Sequence, residues 1–172
     1  MTKDFVQDGI PKPQRNWAMA AISVGISVAV LDGAIANVAL PTIAGDLHVN
    51  PASSIWVVNA FQLAVTISLL AFSSLGDLWG YKKVYVGGLL LFSTTSLICA
   101  LSDSFWTLVI ARGLQGFGAA AITSVNTALL RIIYPTRLLP RGMGTNALII
   151  AVAAAAGPTV AAGILSVANW PW

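Results

Sequence analysis

Two ionisable side chains stand inside apolar runs of this sequence, Asp32 between Val30-Leu31 and Gly33-Ala34-Ile35, and Arg112 between Val109-Ile110-Ala111 and Gly113-Leu114. A carboxylate and a guanidinium held away from water can pair, and the acid can also gain and lose a proton as its surroundings change. Desolvation favours its neutral form, whereas a neighbouring cation favours the charged one. Other chemistry is poorly supplied. A covalent or metal-assisted reaction would need a nucleophile beside a base, or clustered ligands. The only histidine is His48, and there is no glutamate. We therefore expect no enzyme activity, metal or cofactor. Cys99, the single cysteine, lies in an apolar run, which excludes a disulfide framework and reads as packing.

The elements that must position these charges are membrane helices. The 172 residues are 57% hydrophobic and 9% charged, against about 25% charged for a soluble domain. A water-exposed fold of this composition would aggregate. Lipid is the alternative solvent, with roughly 20 apolar residues needed per crossing of a core about 30 Å thick. We expect an all-α membrane protein with spans over about 17–38, 54–75, 84–101, 105–133 and 143–167. Residues 1–16 read as a polar tail in which Pro11 and Pro13 oppose a helix, and Pro41 marks the end of the first span. Ala34-Ile35-Ala36 resembles a signal-peptide cleavage site, but the apolar stretch is too long and more spans follow. Asn50-Pro51-Ala52-Ser53 opens the second span as turn and cap, and Tyr134-Pro135 closes the fourth. Trp17, Trp56, Trp106 and Trp170 fall near span ends, at headgroup level.

Charge placement orients the spans. Lys3, Lys12, Arg15, Lys82, Lys83, Arg131, Arg137 and Arg141 all fall on one side, and the connections around Asp46-Leu47-His48 and Ser102-Asp103-Ser104 hold no Lys or Arg. The positive-inside rule makes the first side, and the amino terminus, cytoplasmic and puts Trp172 outside. The net charge of +3 forms no stripe, so nucleic acid is not an expected partner; the lipid bilayer is. With this orientation Asp32 lies roughly 22 Å above the cytoplasmic edge and Arg112 roughly 10 Å below the outer one. In a core about 30 Å thick these are matching depths.

Arg112, Gln115, Ala119, Thr123 and Asn126 recur at steps of three and four, as do Asn59, Gln62 and Thr66, while Asp32 shares a face with Gly25, Ala29 and Ala36. Two polar stripes and a small-residue face suggest a hydrophilic interior lined by Asn59, Gln62, Gln115 and Asn126. Amides that glue helices together are the other reading. Between the second and third spans, Asp77 and Gly80 precede Lys82 and Lys83, which suits a carboxylate latch or a solvated loop. Gly157-Pro158, among alanines of the fifth span, is either a packing seam or a hinge.

These segments together resemble a known family. Leu31-Asp32-Gly33-Ala34-Ile35-Ala36-Asn37-Val38-Ala39-Leu40-Pro41 is similar to the first-helix signature of the major-facilitator drug:proton antiporters, in the branch with about fourteen spans. Leu75 to Lys83 resembles the superfamily's loop between second and third helices, Ala111 to Ala120 its fourth-helix motif, and Gly157-Pro158 the core of its antiporter motif. The resemblance implies most of the N-terminal six-helix bundle of such a transporter. It implies a proton-coupled exporter of small lipophilic, often cationic compounds, working by alternating access from the inner (plasma) membrane. Asp32 would be the protonated acid, Arg112 the arginine assisting proton transfer, and Asp77 the loop acid stabilising the outward-facing state. The chain departs from the family at Ser73, where glycine is usual, at Leu78 and Tyr81, where arginines are usual, and at Ala153, Ala161 and Ala162. The sequence reads as an N-terminal fragment whose C-terminal half is missing, with residues 168–172 leading toward an absent sixth helix. The alternative is a small membrane partner or regulator of a full-length transporter.

Overall fold

A computed structural model describes residues 9–167, and these form five long helices and no strand. They are α1 (Lys12–Asp46), α2 (Pro51–Trp79), α3 (Tyr81–Ala100), α4 (Phe105–Ile133) and, after a 3-10 turn at Thr136–Leu138, α5 (Leu139–Val167). All five are long and apolar enough to cross a membrane. The tail residues 1–8 and the expected outer connection 168–172, with Trp170 and Trp172, lie outside the described residues.

Helix ends show where local signals were outweighed. Instead of staying unwound to Asn16, the chain becomes helical at Lys12, with Pro13 in the first turn. Amides in a first turn have no intrahelical acceptor, so a proline there removes nothing. Nor does α1 stop before Pro41. It continues to Asp46, because Pro41 faces outward and the turn beyond it is anchored by buried Ile43 and Ala44. The second helix starts at Pro51 rather than Ser54, since the Asn50 side chain accepts the Ala52 N–H at 2.9 Å. Its far end passes Leu75 and reaches Trp79, where Gly80 takes φ 95°. That backbone is open to glycine and disfavoured for other residues, and it lets α3 begin at once.

Packing is set by small residues. α4 lies along both α2 and α3, and α1 lies along α5. A Cβ on Gly116 would stand 2.5 Å from the Phe61 carbonyl oxygen of α2, and one on Gly118 would stand 2.7 Å from the Phe92 nitrogen of α3. The backbones therefore meet closely on both sides of α4. On the other flank a Cβ on Gly157 would collide with Ala34 Cβ.

Two apolar clusters result. One gathers Ile22, Ile26, Phe61, Phe92, Ile122 and Val125; the other gathers Ala39, Ile43, Val57, Cys99, Leu108 and Ala111. Outward-facing Leu63, Ile67, Leu70, Leu90, Leu97 and Leu148 are more than half exposed. Such a surface requires lipid around it.

Candidate functional site

The charged pair sits in the layer between the two clusters. On α1, Asp32 follows Ala29 of one cluster and precedes Ala39 of the other; on α4, Arg112 and Gln115 stand between Ala111 and Ala119. Residues three apart share a helix face, so Arg112 and Gln115 reach the same carboxylate.

Arg112 Nη1 donates to Asp32 Oδ2 at 2.6 Å and to Gln115 Oε1 at 3.0 Å, and Gln115 Nε2 donates to Asp32 Oδ1 at 3.1 Å. The three groups close a triangle in which both carboxylate oxygens are engaged. The amide orientation has a chemical reason: reversed, it would set oxygen against carboxylate and NH2 against guanidinium. The Cys99 thiol lies 3.8 Å from the same Gln115 Oε1. Side-chain exposure is 12% for Arg112 and 18% for Asp32, while Gln115 is fully buried. Arg112 Nε is buried without a partner, so the guanidinium is engaged at one nitrogen.

A cleft of about 170 Å³ reaches this pair, walled by Ile35, Ala39, Ile43, Cys99, Ala100 and Leu108 among others. On α1 every wall residue lies at Asp32 or beyond it toward Asp46, and on α4 at Arg112 or before it toward Phe105. The cleft therefore approaches the pair from the end of the bundle that lacks Lys and Arg.

The other expected residues are placed apart. Asn126 is buried on the stripe of Gln115, about 16 Å further along α4, and its Oδ1 has no partner. Asn59 and Gln62 are exposed and share a shallow cleft with Trp56, Leu63 and Thr66. The shared interior expected from the two stripes is thus not formed between α2 and α4, because these helices meet through Phe61, Ala64 and Gly116 instead. Asp77 is exposed and accepts a hydrogen bond from the Tyr81 hydroxyl. A neutral donor on the next helix thereby takes the place where the resemblance led us to look for an arginine. Lys82 and Lys83 are exposed and, among the described residues, form no ion pair. Gly157 is a contact against Ala34, and Pro158 is exposed within a helix that continues past it.

Two side chains escaped the sequence reading. Cys99 borders the pair, and the only signal for it was its position near the outer end of α3. Tyr85 sends its hydroxyl to the carbonyls of Ala21 at 3.1 Å and Ile22 at 3.3 Å, tying α3 to α1. Nothing in its spacing marks that role.

Comparison with known proteins adds the last observations. The family model described as Major Facilitator Superfamily matches residues 22–172. The uncharacterized transporter YebQ of Escherichia coli (strain K12) is 65% identical over 165 residues, covering 96% of this chain and 36% of that protein. The riboflavin transporter RibZ of Clostridioides difficile (strain 630) is 30% identical over 159 residues, 92% of this chain and 35% of that protein. The tetracenomycin C resistance and export protein of Streptomyces glaucescens is 31% identical over 157 residues, 91% of this chain and 29% of that protein. The chain thus spans about a third of the length of these relatives.

Proposed function

The chain belongs to the Major Facilitator Superfamily of membrane transporters, and from that premise we propose that it supplies the amino-terminal part of a proton-coupled exporter of small lipophilic, often cationic compounds. Asp32 is the coupling acid and Arg112 its counter-ion, while the rest of a full-length transporter supplies the opposite wall of the pathway. In this reading the protein resides in the inner (plasma) membrane with its amino terminus cytoplasmic, an orientation that the one-sided basic residues support.

The observation that carries this reading is the Asp32–Arg112–Gln115 triangle at the end of a cleft whose α1 and α4 walls lie on the Asp46 and Phe105 side of the pair. In this reading a rearrangement that parts α1 from α4 takes Arg112 and Gln115 away from Asp32, so proton and substrate meet a different site in each state. Unequal affinity in two states is what allows a ligand to drive a transition between them. A cationic substrate competes with the proton for the same carboxylate. The relatives named for resistance and export support an export role, and the riboflavin transporter adds flavins to the compounds to be tested.

The test uses the full-length transporter containing this segment, reconstituted in vesicles with an imposed pH gradient. Asp32→Asn keeps the shape of the side chain and one accepting oxygen for Arg112, though its NH2 replaces the oxygen that accepts from Gln115; circular dichroism establishes that the variant folds. It should lose proton-driven efflux while retaining downhill exchange. Pumping at the parent rate would remove Asp32 from the coupling role.

A further inference from the structure

A second polar cleft, of about 310 Å³, lies at the opposite end of the bundle, lined by Arg15, Asn16, Tyr134, Leu138, Arg141 and Thr145. It is assembled from three elements: the first turns of α1, the residue capping α4, and the 3-10 turn running into α5. The segment entering it is pinned, since the Ile10 N–H donates to the Ile133 carbonyl at 3.1 Å. The Arg15 guanidinium lies over the Tyr134 ring, 5.5 Å from its centroid, which restrains a side chain that would otherwise be mobile.

Among the described residues, neither of the two cations lining this cleft is paired with a carboxylate. Among the described residues the one ion pair is Arg112–Asp32. Two guanidiniums beside one cleft repel, and a shared anion relieves that repulsion with charge-assisted hydrogen bonds. Asn16 and Thr145 add neutral polar groups around them. The level of the cleft decides the source of the anion. Trp17, two residues beyond Arg15, is 80% exposed, and exposed tryptophans at span ends sit among lipid headgroups. A basic cleft between membrane helices at that depth matches a phosphodiester headgroup.

The geometry points to a binding site for an anionic phospholipid, with the headgroup phosphate bridging Arg15 and Arg141 and its acyl chains lying along the exposed flank of the bundle. The site is independent of the proton-coupling reading and uses none of its residues.

Native mass spectrometry of the full-length transporter containing this segment, released in detergent, tests it, with phosphatidylglycerol titrated against phosphatidylcholine. Phosphatidylglycerol should bind in preference. Arg15→Gln with Arg141→Gln should weaken it roughly tenfold to thirtyfold, from about 1 kcal/mol per basic residue near the surface. Arg15→Lys with Arg141→Lys should keep most of the binding, since an ammonium also holds phosphate as a point charge. Arg137→Gln, at the same end but outside the cleft, should leave it unchanged. Circular dichroism establishes that each variant is folded, and the Lys pair serves as the reporter if the Gln pair is not. Equal binding of the two lipids overturns the proposal, as does an equal loss in Arg137→Gln, which would mean diffuse surface charge. Saturating displacement by millimolar inorganic phosphate would make this a free-phosphate site and overturn the lipid assignment. Binding that appears only after Asp4→Asn with Asp8→Asn would mean that the tail fills the cleft, and would equally overturn it.

Discussion

Arg112 makes both of its hydrogen bonds from one nitrogen rather than from a two-pronged fork, and this decides how substitutions should rank. A lysine ammonium is also a single donating centre, so Arg112→Lys should retain measurable proton-driven transport. Arg112→Ala leaves Asp32 without its cation. Breaking a fully buried pair destabilises by about 3–5 kcal/mol, and the partial exposure of this one should bring the effect toward the lower end. The expected outcome is a clear drop in melting temperature and loss of pumping for Ala, with a smaller change in both for Lys. Equal behaviour of the two variants in the melting and efflux assays would contradict it. Some of this was legible beforehand. Helical rise alone put Asp32 and Arg112 at one depth, because each lies a countable number of residues from a span end. Lateral distance was not legible, since it depends on how α1 and α4 are rotated. The same ignorance left Gln115 as a lining residue when it is a bridge, and Cys99 as packing when it borders the pair.

Among the elements, α4 is the one whose neighbours leave least room. Gly118→Val would force side-chain atoms against the Phe92 nitrogen and the Gly88 carbonyl oxygen, both backbone and within 3 Å of an added Cβ. Overpacking of this kind costs about 1–3 kcal/mol, so the variant should melt several degrees lower in detergent. Gly113→Ala on the same helix is the contrast: its Cβ meets nothing within 4 Å, and the melt should be unchanged or slightly higher. Element existence was legible because five long apolar runs admit few readings in lipid. Element ends were less so, and both proline misreadings share one cause. Pro13 and Pro41 were read as helix breakers, but proline opposes a helix only where its missing N–H or its ring meets an obligatory partner. The first turn offers none at Pro13, and burial of Ile43 and Ala44 outweighs one lost bond at Pro41. At Gly157-Pro158 the close approach to Ala34 is a contact that small residues allow.

For the molecule as a whole, the basic residues at one end give a topology that reporter fusions can check. A reporter after Arg137 should be cytoplasmic and one after Asp46 exterior; the reverse pattern would invert every directional statement made for the cleft. The overall bundle was readable from hydropathy and the order of four motifs, whereas the outward face of Asn59 and Gln62 was not, because a polar stripe on a helix does not say which neighbour it meets. The one-sided cleft above Asp32 has an electrical consequence. With that orientation the carboxylate lies roughly 8 Å from the exterior boundary of a core about 30 Å thick. If Asp32 is the coupling acid proposed above, a proton loaded from outside traverses only about a quarter of the transmembrane field, worth about 0.6 kcal/mol at 100 mV against about 2.3 for a full crossing. Loading should thus depend only weakly on voltage, and about three-quarters of the work extracted from the membrane potential should fall on the later passage of that charge to the cytoplasm.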